Sequence, residues 1–416
     1  MSNTLNLGTD GNWAVKKDSL LAYNSENGNF KPLPFSFSRA SSATVVNKDG
    51  LIEIVGSGKA RIDFKDDAKG ALLLEPQRSN NLIRSEEFEN ASWIKSGSAI
   101  TANQIISPNG SLNADLITSS GSSAFERVTQ SVSLSGVVSY SLFVKKNTAN
   151  LISLFINGTG IGVESGANII YDFNFTTNLL SKNAASSSTA TTTKVESFLN
   201  GWYRISISVS STTITDARIY SSWNITNTLS SYIWGAQLEE GSFPTSYIPN
   251  YGTAAGVTRV ADVCSNAGNN QVINSTEGVL YAEISALAND GTFKVISISD
   301  GSTSNVVRFY KNTTNNQLSI RVTLGGVNQF NVVHTLSNST QNNKLALKYK
   351  ENDFAFWVNG IEVNAIQTGT TFSLNTLNKL SFSEGNGLSP FYGNTKDLRV
   401  YTTALTDAEL QALTTI

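Results

Sequence analysis

SYIWGAQLEEGSFPTSYIP, Ser231 to Pro249, is the stretch on which the fold class turns. Tyr232, Trp234, Ala236 and Leu238 alternate with Ile233, Gly235 and Gln237, the period-two pattern of a strand with one buried face. A turn at Glu240-Gly241 stops the strand, and Pro244 and Pro249 fix an extended exit that cannot continue a ladder. The segment reads as a closing strand and a domain boundary, and it carries no obvious reactive group.

The same alternation recurs on both sides. Upstream, Phe125 to Val132, Val138 to Lys145, Leu151 to Ile156, Asn168 to Phe175, Trp202 to Val209 and Ala217 to Ser222 are strand candidates, and Ala184 to Thr193 reads as an exposed low-complexity loop. Seven or more short strands with no helical pattern between them predict an antiparallel sandwich, a jelly roll, over 85–262. Downstream, GVLYAEISAL, FKVISISD, NVVRFYK, QLSIRVTL, QFNVVHTL, KLALKYKE, DFAFWVNGIEV and TKDLRVYTTAL predict a second sandwich over 263–416, with hairpin dipeptides at Asp300-Gly301 and Asn359-Gly360. Thr406 and Glu409 have capping-box spacing, so one short helix is expected to close the chain by packing on the sandwich end. Residues 1–84 form a first, partly irregular unit in which Thr44 to Val46 and Leu51 to Ile54 make a hairpin across Asn47 to Gly50.

Composition supports the all-β reading: tandem antiparallel sandwiches behind an irregular N-terminal segment. Charged residues make up 15% of the 416, against roughly 25% in ordinary proteins, and polarity is carried by Ser, Thr and Asn with 31 Gly. A net charge of −2 offers no basic footprint for nucleic acid. One Cys, Cys264, allows no intrachain disulfide, and one His, His334, sits in a strand-like run, which argues against zinc clusters and histidine-dependent triads. The N-terminus has no basic region followed by an apolar core, and no run is long and apolar enough to span a bilayer, so synthesis in a cytoplasm without membrane insertion is the expectation.

Several phrases carry a resemblance. FSRASSATVVNKDGLIEIVGSGKARIDF, LLLEPQRSNNLIRSEEFENASW, LNGWYRISISV, YIWGAQLEEGSFPTSYIP and TRVAD, over about 35 to 263, resemble a tailed-bacteriophage virion architecture with a carbohydrate-binding-module-like jelly roll. KLALKYKENDFAFWVNGIEV, Phe391-Tyr392-Gly393 and DLRVYTTALTDAELQALT are similar to the concanavalin A-like and laminin-G-like family. The resemblance implies a structural virion protein (a head fiber, tail fiber or capsid decoration) made in the bacterial cytoplasm. Residues 1–84 would attach it to other virion proteins, a homotrimer is the usual assembly, and the sandwiches would adhere to host or environmental glycans. A purely structural capsid or tail component, and a polysaccharide-degrading tail enzyme, remain the alternatives.

The chemistry favours binding over catalysis. Glycoside hydrolysis needs two facing carboxylates, and Glu239, Glu240, Asp262, Glu283 and Glu384 show no pairing by spacing; Asp66 and Asp67 read as solvated. Sugar binding needs aromatic faces rimmed by amides and hydroxyls. Trp234, Trp202 and Trp357 read as core, with Arg204 turned outward, whereas Trp93 and Trp223, the latter beside Asn224, lie in polar surroundings and are the candidate carbohydrate-binding residues. No cofactor is implied. Calcium is the one metal worth considering, with Asp115 or Asp300 as conceivable ligands and no site assigned.

Overall fold

The structure is a computed structural model that describes residues 5–8, 13–16, 19–24, 29–123, 125–221, 223 and 226–416. Apart from the helix Asp407–Thr414 and a 3-10 turn at Leu199–Gly201, the described elements are strands. Two compact units are each assembled from separate stretches of chain, one from 1–42, 55–76 and 260–416, the other from 43–54 and 77–259. The boundary expected near 262 falls at 259/260, whereas the one expected near 84 does not separate the units: most of the N-terminal segment joins the C-terminal unit, and the hairpin of 43–54 joins the other.

The unit of 43–54 and 77–259 is the antiparallel jelly-roll sandwich. Two long strands, Arg127–Lys146 and Trp202–Tyr220, pair from Val128↔Ile219 to Lys145↔Trp202, with register shifts between Ser131 and Gly136. Each exchanges neighbours across that irregularity. One half takes Ser230–Glu240 and Thr192–Ser197; the other takes Ile94–Ser96 and Leu151–Ile161. Bulges of this kind let a strand serve both layers of a sandwich. Between the layers lie Leu142, Val144, Ile152, Leu154, Ile156, Ile205, Ile207 and Ile219, all buried.

The opening stretch departs from its expected alternation. Gly235 has φ +61, and the pairing of Ser230–Glu240 with Arg127–Lys146 shifts between Gln237↔Ser141 and Trp234↔Phe143. A bulge at this glycine breaks the period, so that Ile233, Ala236 and Leu238 face the main core. Trp234 instead turns to the other face, with Phe143, Trp202 and Tyr247 under Val46 and Ile52 of the hairpin. Both faces of the strand are thus buried. The Ala184 to Thr193 tract also differs from expectation: Ser186, Ser188 and Ala190 are buried, and the Ser188 hydroxyl donates to Glu164 at 2.7 Å.

In the other unit two sheets face one another. The larger runs from Val263–Ser265 through Asn29–Ser38, Ser19–Asn24, Leu5–Leu7, Gly393–Tyr401, Glu277–Ala286, Asn343–Lys350 and Phe354–Val358 to Ile361–Ile366. Leu5–Leu7 and Ala71–Leu74 both pair along Gly393–Tyr401, so N-terminal strands complete the C-terminal sandwich. The smaller sheet is ordered Val327–Thr335, Gln317–Leu324, Val306–Lys311, Lys294–Ser299, Lys379–Ser381. Leu280, Ile296, Phe309, Ile320, Leu347 and Phe356 fill the space between them. The Asn359-Gly360 turn has positive φ at both positions (49° and 83°), as a two-residue hairpin requires. Asp300-Gly301, in contrast, opens a longer loop that ends at Asn305. The helix Asp407–Thr414 has the complete capping box of Thr406 and Glu409. Its Leu410 and Leu413 cover Tyr281, Ala346, Ala355 and Trp357 on the outer face of the larger sheet, where the sequence pointed to the sandwich end.

Candidate functional site

The sequence phrases that carry the virion resemblance converge on buried polar networks. In one unit Arg39 (FSR) donates to Asp262 (VAD) at 3.0 Å and to Gly56 O at 2.8 Å, while Arg61 (KAR) bridges Glu75 (LLLEP) at 2.6 Å and Asp262. These four side chains are at most 3% exposed, and two guanidiniums against two carboxylates leave no surplus charge. In the other unit Glu239 accepts from Gln237, Thr245 N and the Thr245 hydroxyl, and Arg204 donates to Thr245 O and the Ser141 hydroxyl. Arg204 is buried, where sequence placed it outward. These interior charges, held by side-chain and backbone partners, fix geometry and expose nothing for a ligand.

Of the sequence-predicted site residues, Trp93 is fully buried. Its ring centroid lies 5.0 Å from that of Phe88, and its Nε1–H donates to Arg84 O at 2.9 Å, so it is a core residue and not a sugar platform. Trp223 is half-buried at the surface, against Phe125, Phe155 and Tyr220. Asn224 lies outside the described residues. The carboxylates considered for hydrolysis sit on separate elements: Asp262 and Glu239 are sealed in the networks above, Glu240 is exposed, and Glu384 pairs with Arg308. Burial pushes the Glu283 carboxyl up from its ordinary value. For calcium, Asp115 accepts from Phe88 N and Asn103 N, and Asp300 from Ser302 N and the Asn305 amide. Among the described residues no group of three His, Cys, Asp or Glu side chains is placed to hold a metal ion.

The arrangement best suited to a ligand lies on the smaller sheet of the C-terminal sandwich. Strand alternation sends Phe309 and Ile320 into the core and their neighbours Arg308, Tyr310 and Arg321 to the opposite face. Antiparallel register then aligns one polar row across five strands: Ser381, Ser297, Arg308, Arg321 and Asn331. Both guanidiniums lie over the Tyr310 ring, with Arg308 Cζ 5.3 Å and Arg321 Cζ 5.0 Å from its centroid. Arg308 Nη1 donates to Glu384 at 2.9 Å, and Arg321 Nε donates to Asn331 Oδ1 at 2.9 Å. The Nε of Arg308 is buried with no partner among the described residues.

Loops flank this row and account for its low exposure. Val295 N donates to Ser389 O at 3.0 Å, and Gly385 lies so close to Ser302 that a Cβ would stand 1.9 Å from its carbonyl oxygen. Burial pulls the Arg308 pKa down, Glu384 opposes this and Arg321 adds to it, yet an arginine stays charged in water. Two guanidiniums against one carboxylate give the row a surplus positive charge beside an aromatic ring. It offers directional donors for a carboxylate or a hydroxyl-rich ring. NVVRFYK and QLSIRVTL are the strands expected from sequence, and their outward residues were not among the candidate site residues. The available signal was Arg308-x-Tyr310 on the non-core phase, with Arg321 on that phase of the following strand.

Residues 268–411 match a family model described as the concanavalin A-like lectin/glucanases superfamily. No curated protein sequence matches the chain. Among solved structures, the CBM40 domain of Ruminococcus gnavus IT-sialidase bound to α2,3-sialyllactose is similar over 36% of this chain and 93% of its own, at 16% identity and TM-score 0.31. A leech intramolecular trans-sialidase complexed with 2,7-anhydro-Neu5Ac is similar at 19% identity and TM-score 0.31, over 36% of this chain and 26% of its own. Sheep galectin-11 in complex with glycerol is similar at 11% identity and TM-score 0.21, over 30% and 88%.

Proposed function

We propose that this chain is a glycan-binding surface protein of a tailed-phage particle, and that it holds an acidic saccharide on the Arg308–Arg321 row. The observation that carries the binding reading is the pair of guanidiniums over Tyr310 with a single carboxylate, Glu384, beside them. A sugar carboxylate would complete the charge balance and take the donors of Arg321 and Arg308, while the exposed Asn331 supplies an amide partner. The concanavalin A-like match over the same residues supports a binding role.

Placement on a virion, attachment to other virion proteins and synthesis in the bacterial cytoplasm rest on the phrases between 35 and 263. Head fiber, tail fiber and capsid decoration all fit them. A homotrimer belongs to the same proposal; Leu5–Leu7 and Ala71–Leu74 of the N-terminal segment are paired inside the chain.

The test is a glycan array probed with the full chain and with Arg321→Ala, a half-exposed position whose loss leaves the core intact. Wild type should retain glycans bearing uronic or ulosonic acids, and the variant should lose them about tenfold or more at an unchanged melting temperature. Equal retention of acidic glycans by both proteins would sink the site. Mass spectrometry of purified particles, with immunogold labelling, checks the location; a protein found only in lysate would remove the virion assignment.

A further inference from the structure

The jelly-roll unit carries a second ring-bearing face that the acidic-glycan row does not use. It lies on the layer formed by Arg127–Lys146, Trp202–Tyr220, Leu151–Ile161 and Gly166–Asn174. In Leu151–Ile161 the inward residues are Ile152, Leu154 and Ile156, so Ser153, Phe155 and Asn157 share the outer face. Register places Asp172 and Ile170 beside Ser153 and Phe155 on one side, and Tyr220, Arg218 and Asp216 beside Ser153, Phe155 and Asn157 on the other. Trp223 lies over this face: its ring centroid is 4.7 Å from Tyr220, 5.9 Å from Phe155 and 5.1 Å from Phe125, and Phe125 is 48% exposed. Arg218 Cζ stands 4.5 Å from the centroid of Phe155.

Around the rings the polar groups are held in fixed orientations. The Ser153 hydroxyl donates to Asp172 Oδ1 at 2.6 Å and the Asn183 amide to Asp172 Oδ2 at 2.6 Å. The Asn157 amide donates to Asp216 Oδ2 at 3.1 Å, and Arg218 clasps Asp216 with two donors. Two groups on the neighbouring strand, Arg127 Nε and Thr129 Oγ1, are buried with no partner among the described residues. Arg127 and Arg218 balance Asp172 and Asp216, so this face has no surplus charge, unlike the Arg308–Arg321 row.

We infer that this face is a second saccharide site, selective for an uncharged pyranose stacked on Trp223 and Phe125 and hydrogen-bonded at the Asp172–Asn183 and Asp216–Asn157 pairs. An aromatic surface rimmed by oriented amides and carboxylates, with no net charge, matches the apolar face and equatorial hydroxyls of a neutral sugar. A self-association surface would need a wider apolar area than one exposed phenyl ring and one half-buried indole.

The test uses the full chain, Trp223→Ala, Phe125→Ala and Arg321→Ala on an array of neutral and acidic oligosaccharides, with tryptophan fluorescence titrated by whichever neutral oligosaccharide wild type retains. Neutral glycans should fall about tenfold or more in both aromatic variants and stay at wild-type level in Arg321→Ala. Phe125→Ala removes an exposed ring, so it reports on binding even if Trp223→Ala lowers the melting temperature. Absence of neutral glycans from the wild-type profile, or their full retention by Phe125→Ala and Trp223→Ala, overturns the inference. So does unchanged glycan binding with a smaller sedimentation coefficient in the variants, which would make the patch a contact between copies. Loss of acidic glycans in Arg321→Ala alone tests the other site, so the two readings fail separately.

Discussion

At the residue scale, Trp93 and Trp223 had similar polar neighbours in sequence and opposite fates in the structure. Trp93 is enclosed with Phe88 and its indole N–H is satisfied by Arg84 O, while Trp223 is only half-buried. Local composition cannot separate them, because the core that encloses Trp93 includes Ile117 and Val128, which are distant in the chain. Asp115 shows the same dependence on remote groups. Burial raises its pKa to about 7, the N–H groups of Asn103 and Phe88 oppose the shift, and the Glu89 carboxyl reinforces it. A carboxyl with an unfolded value of about 3.9 and a raised folded value binds its proton more tightly in the folded state. Stability from this group is therefore present at low pH and is lost as pH rises from about 4 through about 7. Denaturant melts at about pH 4 and about pH 7.5 should show a smaller difference between the two conditions for Asp115→Asn than for wild type. An identical difference in both proteins would show that Asp115 does not titrate in this window.

At the scale of the element, strand existence was legible and strand phase was not always so. The outward set Arg308, Tyr310 and Arg321 follows from simple alternation and could have been read directly. In Ser230–Glu240 the alternation fails at Gly235, because one extra residue inserted in the ladder sends Trp234 and Ala236 to opposite faces. Gly235 is needed there twice over: its φ is +61, and a Cβ would stand 3.0 Å from the Phe143 ring. Gly235→Ala should cost about 1–3 kcal/mol in unfolding free energy, read by urea denaturation. A variant as stable as wild type would mean the strand can recover regular pairing. The closing helix was legible from its cap because Thr406 and Glu409 act locally, but the surface it covers is set by where Tyr281 and Trp357 emerge on the larger sheet.

At the scale of the whole molecule, the units are not consecutive segments. The C-terminal sandwich takes Leu5–Leu7 and Ala71–Leu74 as strands on Gly393–Tyr401, and Asp262 is balanced by Arg39 and Arg61. A fragment of residues 263–416 would lose those strands and expose the apolar side chains they cover, including Leu398 and Val400. It should be recovered aggregated or without a cooperative thermal transition, whereas the full chain melts cooperatively; a soluble fragment with wild-type-like melting would show that the N-terminal strands are dispensable. By itself the sequence determined the all-β class, most strands, the Asn47–Gly50 and Asn359-Gly360 turns and the terminal cap, because alternation, turn chemistry and capping act between residues close in the chain. Only the tertiary structure decided which distant strands share a sheet, that Trp93 lies inside, and that Arg39, Arg61, Glu75 and Asp262 neutralise one another. Those outcomes depend on register and burial between segments far apart in the chain, which no local pattern encodes.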